Sequence, residues 1–490
     1  MLLQNTKFTP IIKLIIVKYI NLLFLVFSMQ LVFAQEISIK KGTVVDGLQI
    51  NDSISETFAI YLPTTYSNEK LWPVIFVFDP KGRGKSAAQI FSHAGQEQGY
   101  IIVATNNINS EDSLLNNLKV GTRLMARVFD LFPVDGKRIY TAGFAEGAEV
   151  ASAIPAIYNN LQGVLAVGDI WINPDFVKKK TDLTILGLVD IRDFRLYKME
   201  ETIRFLKRIG HRGDLYKYDG SHEWPNSNII FSVLGNFTLQ AMTKNLKARD
   251  SSLIENLYQS DLDLSIHLRR TLQFYKSYGL LEQMEDKYAD FNKKNDLKAR
   301  QRNLRREKVF KDQRREYNRA SVKEAELKEQ YIYFLNEDVL SANFENLGWW
   351  GQQISELKTF QQSKNWAEVE MAYRLVGLLQ SQAKTTFQEL NEAKSHIDIL
   401  IFTAILQTIF DKENPEGYKS IISLSARDGD YETALLYLED LLKTGYKDLD
   451  ALYNIPGTLD LKLSPGYNSL IKKYLGESRF YNINQTKEYR

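Results

Sequence analysis

The fold is decided at positions 138–148, where the chain carries the stretch RIYTAGFAEGA. Its first five residues are typical of a buried strand, and positions 146–158 have the spacing of an amphipathic helix. Gly143 and Gly147 lie between the two elements, four positions apart. Glycines let a backbone turn sharply and let a strand and a helix approach closely. We therefore predict a tight strand–turn–helix unit with Ala145 at its tip.

On both sides of that unit, from about residue 36 to residue 244, short apolar runs alternate with helical runs. The strand candidates are 57–62, 74–78, 100–104, 138–142, 163–167, 183–189 and 213–218, and the helix candidates are 87–98, 112–131, 146–158, 195–209 and 226–243. Apolar strands that alternate with helices indicate a mostly parallel sheet buried on both faces. We predict an α/β domain at residues 35–248.

After about residue 250 the strand signals fade and helical periodicity takes over. We predict an all-α region with a helical connector at 249–335 and a repeat-like domain at 336–490. Near its end, a helix opens at Asp428, carries the small residue Ala434 and ends at Gly445, and a second helix follows at 449–453. This pattern resembles a tetratricopeptide repeat, whose arrays bind proteins or peptides, so we expect a protein partner there. A plain helical domain packed on the first one is the alternative.

The connector contains a strongly basic stretch at 293–319, with twelve lysines or arginines against four acidic residues. One interpretation is a basic surface for an anionic partner. The other is a long solvated helix that connects two lobes, and the sparse apolar positions favour it. The formal net charge of the whole chain is +2, which gives no reason to expect nucleic acid as a partner.

The first 34 residues predict a signal peptide. Three lysines precede an apolar run at 19–33, and Val32 and Ala34 stand at the two positions that a signal peptidase reads. An uncleaved membrane anchor is the alternative, although the uninterrupted apolar part is short for a bilayer crossing. We expect an exported protein (periplasmic, surface-associated or released) that has no transmembrane anchor after cleavage.

The chain has no cysteine, which excludes disulfides, thiolate metal sites and a cysteine nucleophile. No pair of its histidines has the spacing of metal ligands. We therefore predict no metal site and no cofactor. The five histidines are His93, His211, His222, His267 and His396.

The predicted turn has the spacing of a Gly-x-Ser-x-Gly nucleophile elbow, with Ala145 in the place of the serine. Alanine has no lone pair that could attack a carbonyl carbon, so a neighbouring base has nothing to deprotonate. The residue types that accompany such an elbow follow in the expected order. Asp190 and Asp193 come after the strand at 183–189, and His222 comes after the last strand.

Residues 55–244 resemble the α/β-hydrolase superfamily, in particular secreted putative esterases related to polyhydroxybutyrate depolymerases. The match covers under half of the chain. It rests on the elbow, on the opening at 61–66 and 72–78, and on the segment 220–225, which reads GSHEWP and matches the Gly-x-His-x-Trp-Pro of that family.

The resemblance implies a set of vestigial catalytic positions. Ala145, Asp193 and His222 would be the triad, because an Asp-Phe pair follows the strand as it does in that family; Asp190 is the alternative acid. The stretch 79–84 takes the place of the oxyanion loop. Its backbone amides near Lys81 and Gly82 would act together with that of Glu146.

Three functions remain open. The first is an exported, catalytically inactive pseudo-esterase that binds or scaffolds partners in the cell envelope. The second is an active carboxylic-ester or peptide hydrolase with a displaced nucleophile, for which Glu146, Ser152 and Ser221 are the candidates. The third is a polysaccharide or polymer binder that uses the old cleft and Trp224. A retained His–Asp pair does not decide between them, because it can simply hold two loops together.

Overall fold

The computed structural model of the chain describes residues 39–51, 53–173, 183–220 and 223–480. The predicted signal peptide, Ser221 and His222 lie outside these ranges. Within them, no helix combines the length and the apolar character that a membrane crossing requires.

An eight-stranded sheet forms the centre of the N-terminal half, in the order β1-β2-β4-β3-β5-β6-β7-β8. β2 runs antiparallel to β1 and β4, whereas the remaining neighbours are parallel. Strands β3, β4 and β7 are buried at every residue, as expected for apolar strands covered on both faces. The strands are β1 (Val44–Asn51), β2 (Ile54–Tyr61), β3 (Trp72–Phe78), β4 (Ile101–Thr105), β5 (Val134–Phe144), β6 (Leu161–Val167), β7 (Thr184–Asp190) and β8 (Arg212–Tyr218).

Five helices cover the two faces of this sheet. They are α1 (Gly84–Gln98), α2 (Leu114–Leu131), α3 (Glu146–Ala153), α4 (Leu196–Arg208) and α5 (Ser227–Thr243). Phe91 of α1 and Phe237 of α5 belong to one apolar core, and Leu124 of α2 and Met199 of α4 belong to the other. The helix predicted at 146–158 is shorter as an α-helix, because Pro155 has no amide hydrogen to continue it.

The rest of the described chain is helical. Its helices are α6 (Ser251–Arg270), α7 (Phe274–Lys287), α8 (Lys294–Arg306), α9 (Lys308–Ser341), α10 (Leu347–Gln361), α11 (Trp366–Glu392), α12 (Ile397–Phe410), α13 (Pro415–Asp428), α14 (Tyr431–Lys443), α15 (Leu449–Tyr453), α16 (Leu459–Leu463) and α17 (Pro465–Leu475). A mostly parallel sheet flanked by helices and followed by an all-α region confirms the predicted α/β-hydrolase-like fold class.

The apolar core of the α/β half continues into the first helices that follow it. Leu257 of α6, Met284 of α7 and Leu297 of α8 belong to the same buried cluster as Phe91 and Phe237. Helices α9 to α12 share a separate apolar cluster, and α13 to α17 share another.

The basic stretch is not one long helix, because the chain breaks between α8 and α9. Glu307 takes extended backbone angles, with φ −66° and ψ 137°. The break lets Leu304 and Phe310 both be buried. On a continuous helix these residues, six positions apart, would point in directions about 120° apart.

The sequence that resembles a tetratricopeptide repeat forms α14 and α15, and α14 begins at Tyr431 rather than at Asp428, which is the last residue of α13. A tight turn joins α13 to α14. Gly429, with φ 85°, ends α13, and the Asp430 side chain accepts a hydrogen bond from the Thr433 amide at 3.0 Å to begin α14. Ala434 is fully buried, as expected of a small residue at a point where two helices pack closely. The repeat assignment itself stays a prediction.

Candidate functional site

The turn at Ala145 has the geometry of a sharp elbow. Its φ of 49° and ψ of −119° lie where L-residues are rarely found, and its amide donates to the Val167 carbonyl oxygen at 2.8 Å. A Cβ atom on Gly143 would lie 2.0 Å from the Gly147 carbonyl oxygen, and one on Gly147 would lie 2.2 Å from the Phe78 carbonyl oxygen. Only glycine fits at these two positions, so the predicted tight turn is present.

The residue at the tip brings no reactive group to this turn. Ala145 is 7% exposed, so its methyl group lies against the surrounding protein. The next residue, Glu146, opens α3. Its amide is therefore in the first helical turn, where the helix itself supplies no acceptor.

Asp79 follows β3 and is 1% exposed, yet it carries a carboxylate. That carboxylate accepts hydrogen bonds from the Lys81 amide at 2.9 Å, from the Arg83 guanidinium at 3.1 and 3.2 Å, and from the Trp224 indole at 2.7 Å. Burial alone would raise the pKa of Asp79. The hydrogen bonds from Arg83, Trp224 and the Lys81 amide, together with the positive charge of Arg83, outweigh this effect, and the pKa lies below its ordinary value.

This carboxylate engages the loop that was predicted to supply oxyanion donors. The Lys81 amide donates to the Asp79 side chain, and the Gly82 amide donates to the Asp79 carbonyl oxygen at 3.1 Å. An oxyanion could bind one of these amides only after that amide gives up its present acceptor. The loop is therefore organised around Asp79.

The same loop is tied to the segment that carries the predicted base. Glu223 pairs with Lys81 at 3.5 Å and with Arg83 at 3.2 Å. The Trp224 ring packs against Phe144, with ring centroids 5.5 Å apart. The loop after β3 and the loop after β8 are thus joined directly, while His222 itself lies outside the described residues.

We expect Asp79→Asn to flatten the pH dependence of stability in the acid range. The pKa of Asp79 is lower in the folded than in the unfolded protein. Its carboxylate therefore adds to the free energy of unfolding at pH values above the unfolded pKa of about 3.9, and this contribution is lost as the pH falls through the folded pKa. Urea unfolding of wild type and variant across that range measures the effect. The exposed Asp263→Asn change is the control and should keep the wild-type profile. An unchanged profile in Asp79→Asn would contradict this assignment.

The two candidate acids are both buried at the end of β7, at 2% exposure for Asp190 and 3% for Asp193. Asp190 accepts the Arg192 amide at 2.9 Å. Asp193 forms a two-pronged pair with Arg195, whose Nε and Nη2 lie 3.1 and 2.7 Å from its carboxylate. Which acid would face His222 stays a prediction.

Arg195 is a site residue that the sequence analysis missed. Burial lowers the pKa of its guanidinium, but the pairing with Asp193 and the charges of Asp169 and Glu146 together raise it by more, so the group is held as a cation. A Cβ atom on Gly168 would lie 3.7 Å from the Arg195 Nη2 and 3.9 Å from the Ala145 amide nitrogen. Arg195 therefore places a positive charge beside the elbow.

The helical half packs directly on the loop that carries these acids. Arg374 of α11 donates to the Ile191 carbonyl oxygen and forms two hydrogen bonds with Glu324 of α9, at 2.6 and 2.8 Å. The Tyr197 hydroxyl donates to the same Glu324 carboxylate. The loop that carries Asp190 and Asp193, called the acid loop below, is thus bonded directly to the helical half.

A cleft of about 310 Å³ remains between the acid loop and the helical half. It brings together one cation–anion pair from the loop with amide, hydroxyl and charged groups from α11, from α12 and from the residues after α12. It is lined by Asp193, Phe194, Arg195, Gly377, Gln380, Ser381, Lys384, Gln407, Asp411 and Asn414.

Across the described ranges, no group of three or more histidine, aspartate or glutamate side chains is placed to hold a metal ion.

Comparison with known proteins finds no matching protein family and no match among curated proteins. Solved structures of esterases do match part of the chain. An esterase of Pyrobaculum calidifontis is 12% identical and covers 42% of this chain and 87% of its own, with a TM-score of 0.34. Est1E from Butyrivibrio proteoclasticus is 14% identical, at 39% and 97% coverage and a TM-score of 0.33. Esterase 2 of Thermogutta terrifontis is 12% identical, at 42% and 95% coverage and a TM-score of 0.34.

Proposed function

We propose that this chain is an exported, catalytically inactive α/β-hydrolase-like protein that serves as a binding or scaffold component of the cell envelope. One observation carries the proposal: the strained elbow is intact, and its tip is Ala145. In a well-studied serine hydrolase, loss of the nucleophile alone lowers kcat by about a factor of 10⁶. An alanine at this position therefore removes the chemistry and keeps the shape.

The alternative of a displaced nucleophile finds little support in the surroundings of the elbow. The Ser152 hydroxyl donates to the Ala148 carbonyl oxygen at 2.7 Å and accepts the Trp171 amide at 2.8 Å. It is thereby used in packing α3 against the loop after β6. Glu146 is exposed, and Ser221 lies outside the described residues.

The cleft beside Asp193 supports the binding part of the proposal. It holds charges of both signs, with Arg195 and Lys384 against Asp193 and Asp411, which suits a small polar ligand or the polar part of a partner. Co-purification from envelope fractions, compared between wild type and Lys384→Glu, tests this role. If the same material co-purifies with the wild type and with Lys384→Glu, this result would argue against the cleft as the binding site.

A polymer binder that uses Trp224 is less well supported. Its indole donates to Asp79, and its ring packs between Phe144 and Phe91, so this half-buried side chain holds the loop rather than offering a free stacking face. We keep the proposal of a protein partner for the helical half, residues 336–490, in addition to a ligand in the cleft.

Export is tested by sequencing the N-terminus of the mature chain, which should begin at Gln35.

We expect the wild-type protein to hydrolyse short-chain nitrophenyl esters no faster than its His222→Ala variant. With alanine at the elbow tip, the base has no hydroxyl to deprotonate, so its removal should change nothing. Initial rates of the purified proteins measure this. A wild-type rate that is clearly higher and depends on His222 would contradict the proposal.

The Ser152→Ala variant and a serine-reactive fluorophosphonate complete this test. We expect no covalent label on the wild-type chain and the same background rate in Ser152→Ala. Label on any serine, located by mass spectrometry, would instead support an active hydrolase with a displaced nucleophile.

A further inference from the structure

A cationic surface lies where α8 and α9 meet, and we call it the basic bend. Its members are exposed lysines and arginines that have no carboxylate within 4.0 Å among the residues that the structure describes. They are Arg302, Arg305, Arg306, Lys308, Lys311, Arg314 and Arg319.

The break at Glu307 brings the cations of the two helices together. Arg305 of α8 lies over the Tyr278 ring, 5.9 Å from its centroid, and Phe310 of α9 packs on the same ring at 5.0 Å. Burial raises the pKa of Tyr278, and the positive charges of Arg305 and Arg314 both counteract that rise. The two helices thus present one continuous basic surface rather than two separate ones.

Repulsion between the like charges of the basic bend lowers the stability of the isolated chain. Lys308, Lys311, Arg315 and Arg319 recur at spacings of three and four, so they share one face of α9. Like charges at such spacings destabilise a helix. Of these four cations, only Arg315 has a carboxylate of a described residue within 4.0 Å, that of Asp312 at 3.4 Å, and the Arg315 side chain is 71% exposed. The charges would be neutralised by an anionic surface outside the chain.

Aliphatic side chains stand exposed among these cations. Val322 lies on the same face of α9 and is 61% exposed, and Val309 is 38% exposed. Leu272 is 64% exposed and lies beside α9, because the Gln313 side chain donates to its carbonyl oxygen at 2.5 Å. Cations with neighbouring aliphatic groups suit a lipid interface, where phosphates meet the first carbons of the acyl chains.

We propose that the basic bend docks this protein peripherally onto an anionic phospholipid bilayer, with headgroup phosphates as the counter-ions of its unpaired lysines and arginines. The signal peptide predicted at residues 1–34 favours a lipid surface over nucleic acid, because an exported chain meets membrane phosphates. The inference goes beyond the function proposed above and depends on export, not on the absence of catalysis.

The test is co-sedimentation of the exported chain, purified without its leader, with phosphatidylcholine vesicles that contain or lack phosphatidylglycerol. We expect binding only to the anionic vesicles, and weaker binding as salt is added. Each cation near such a surface strengthens binding by about fivefold. The combined variant Lys308→Gln, Lys311→Gln, Arg314→Gln and Arg319→Gln should therefore bind at least about 100-fold more weakly.

A matched control removes the same number of charges from exposed lysines elsewhere: Lys40→Gln, Lys119→Gln, Lys394→Gln and Lys447→Gln. It should bind nearly as well as the wild type. Equal loss in both variants would show a mere net-charge effect and overturn the proposal. Wild-type binding to neutral vesicles, or tighter binding to a duplex oligonucleotide than to anionic vesicles, would overturn it as well. The esterase assay fails or succeeds independently of these outcomes.

Discussion

Replacement of Arg374 by methionine should lower the free energy of unfolding by about 3–5 kcal/mol. Arg374 is 6% exposed, and its guanidinium donates to the buried Glu324 carboxylate at 2.6 and 2.8 Å. Its removal leaves that carboxylate desolvated and also frees the Ile191 carbonyl oxygen. Chemical denaturation followed by circular dichroism measures the loss.

Two further variants control this experiment. Arg374→Met combined with Glu324→Leu should recover most of the stability, because it removes both charges of a buried pair. Arg315→Met breaks an exposed pair with Asp312 and should change stability by less than about 1 kcal/mol. If the single and double changes at Arg374 and Glu324 are equally harmful, the buried charge is not the cause.

Lys287→Met should have an effect of similar size, about 3–5 kcal/mol. The Lys287 ammonium lies 2.6 Å from Asp261 and donates to the Ser232 carbonyl oxygen at 2.7 Å, and both charged side chains are 1% exposed. The Asp261 carboxylate also accepts from the Tyr288 hydroxyl at 2.7 Å. These bonds join α5, α6 and α7, so their loss weakens the packing of all three helices.

The measurement is again the midpoint and slope of urea unfolding. Lys293→Met is the matched control, since Lys293 pairs with the exposed Glu255 at 2.6 Å and should contribute less than about 1 kcal/mol. A loss below about 1 kcal/mol in Lys287→Met would mean that the hydroxyls of Tyr288 and Ser232, which both donate to Asp261, satisfy this carboxylate without the ammonium.

The elbow and most strands could be predicted because their signals are local. The two glycines around Ala145 and the apolar run that becomes β7 are legible in a few consecutive residues. β1 was missed for the opposite reason. It is an edge strand whose residues are mostly exposed or part-exposed, with a register shift between Val45 and Leu48, so it lacks a continuous apolar run.

The contacts that define the site are not local, and the sequence offered little sign of them. Arg374 reaches the Ile191 carbonyl oxygen across 183 positions, and Trp224 reaches Asp79 across 145. Arg195 is nearer to its partner, two residues from Asp193, and an Asp-x-Arg spacing at a strand end was the available signal. The break at Glu307 depends on burial of Leu304 and Phe310, which only the tertiary packing determines.

The continuity of the apolar core from the sheet into α6, α7 and α8 has a consequence for protein engineering. A fragment that ends just after α5 would expose part of that shared interior, because it keeps Phe237 but lacks the residues of α6, α7 and α8 that belong to the same apolar cluster. The sheet half is therefore not a cassette that can be cut out and fused to another helical array. Any chimera that transplants it would need to carry the next three helices along, and exchange is better made after α8.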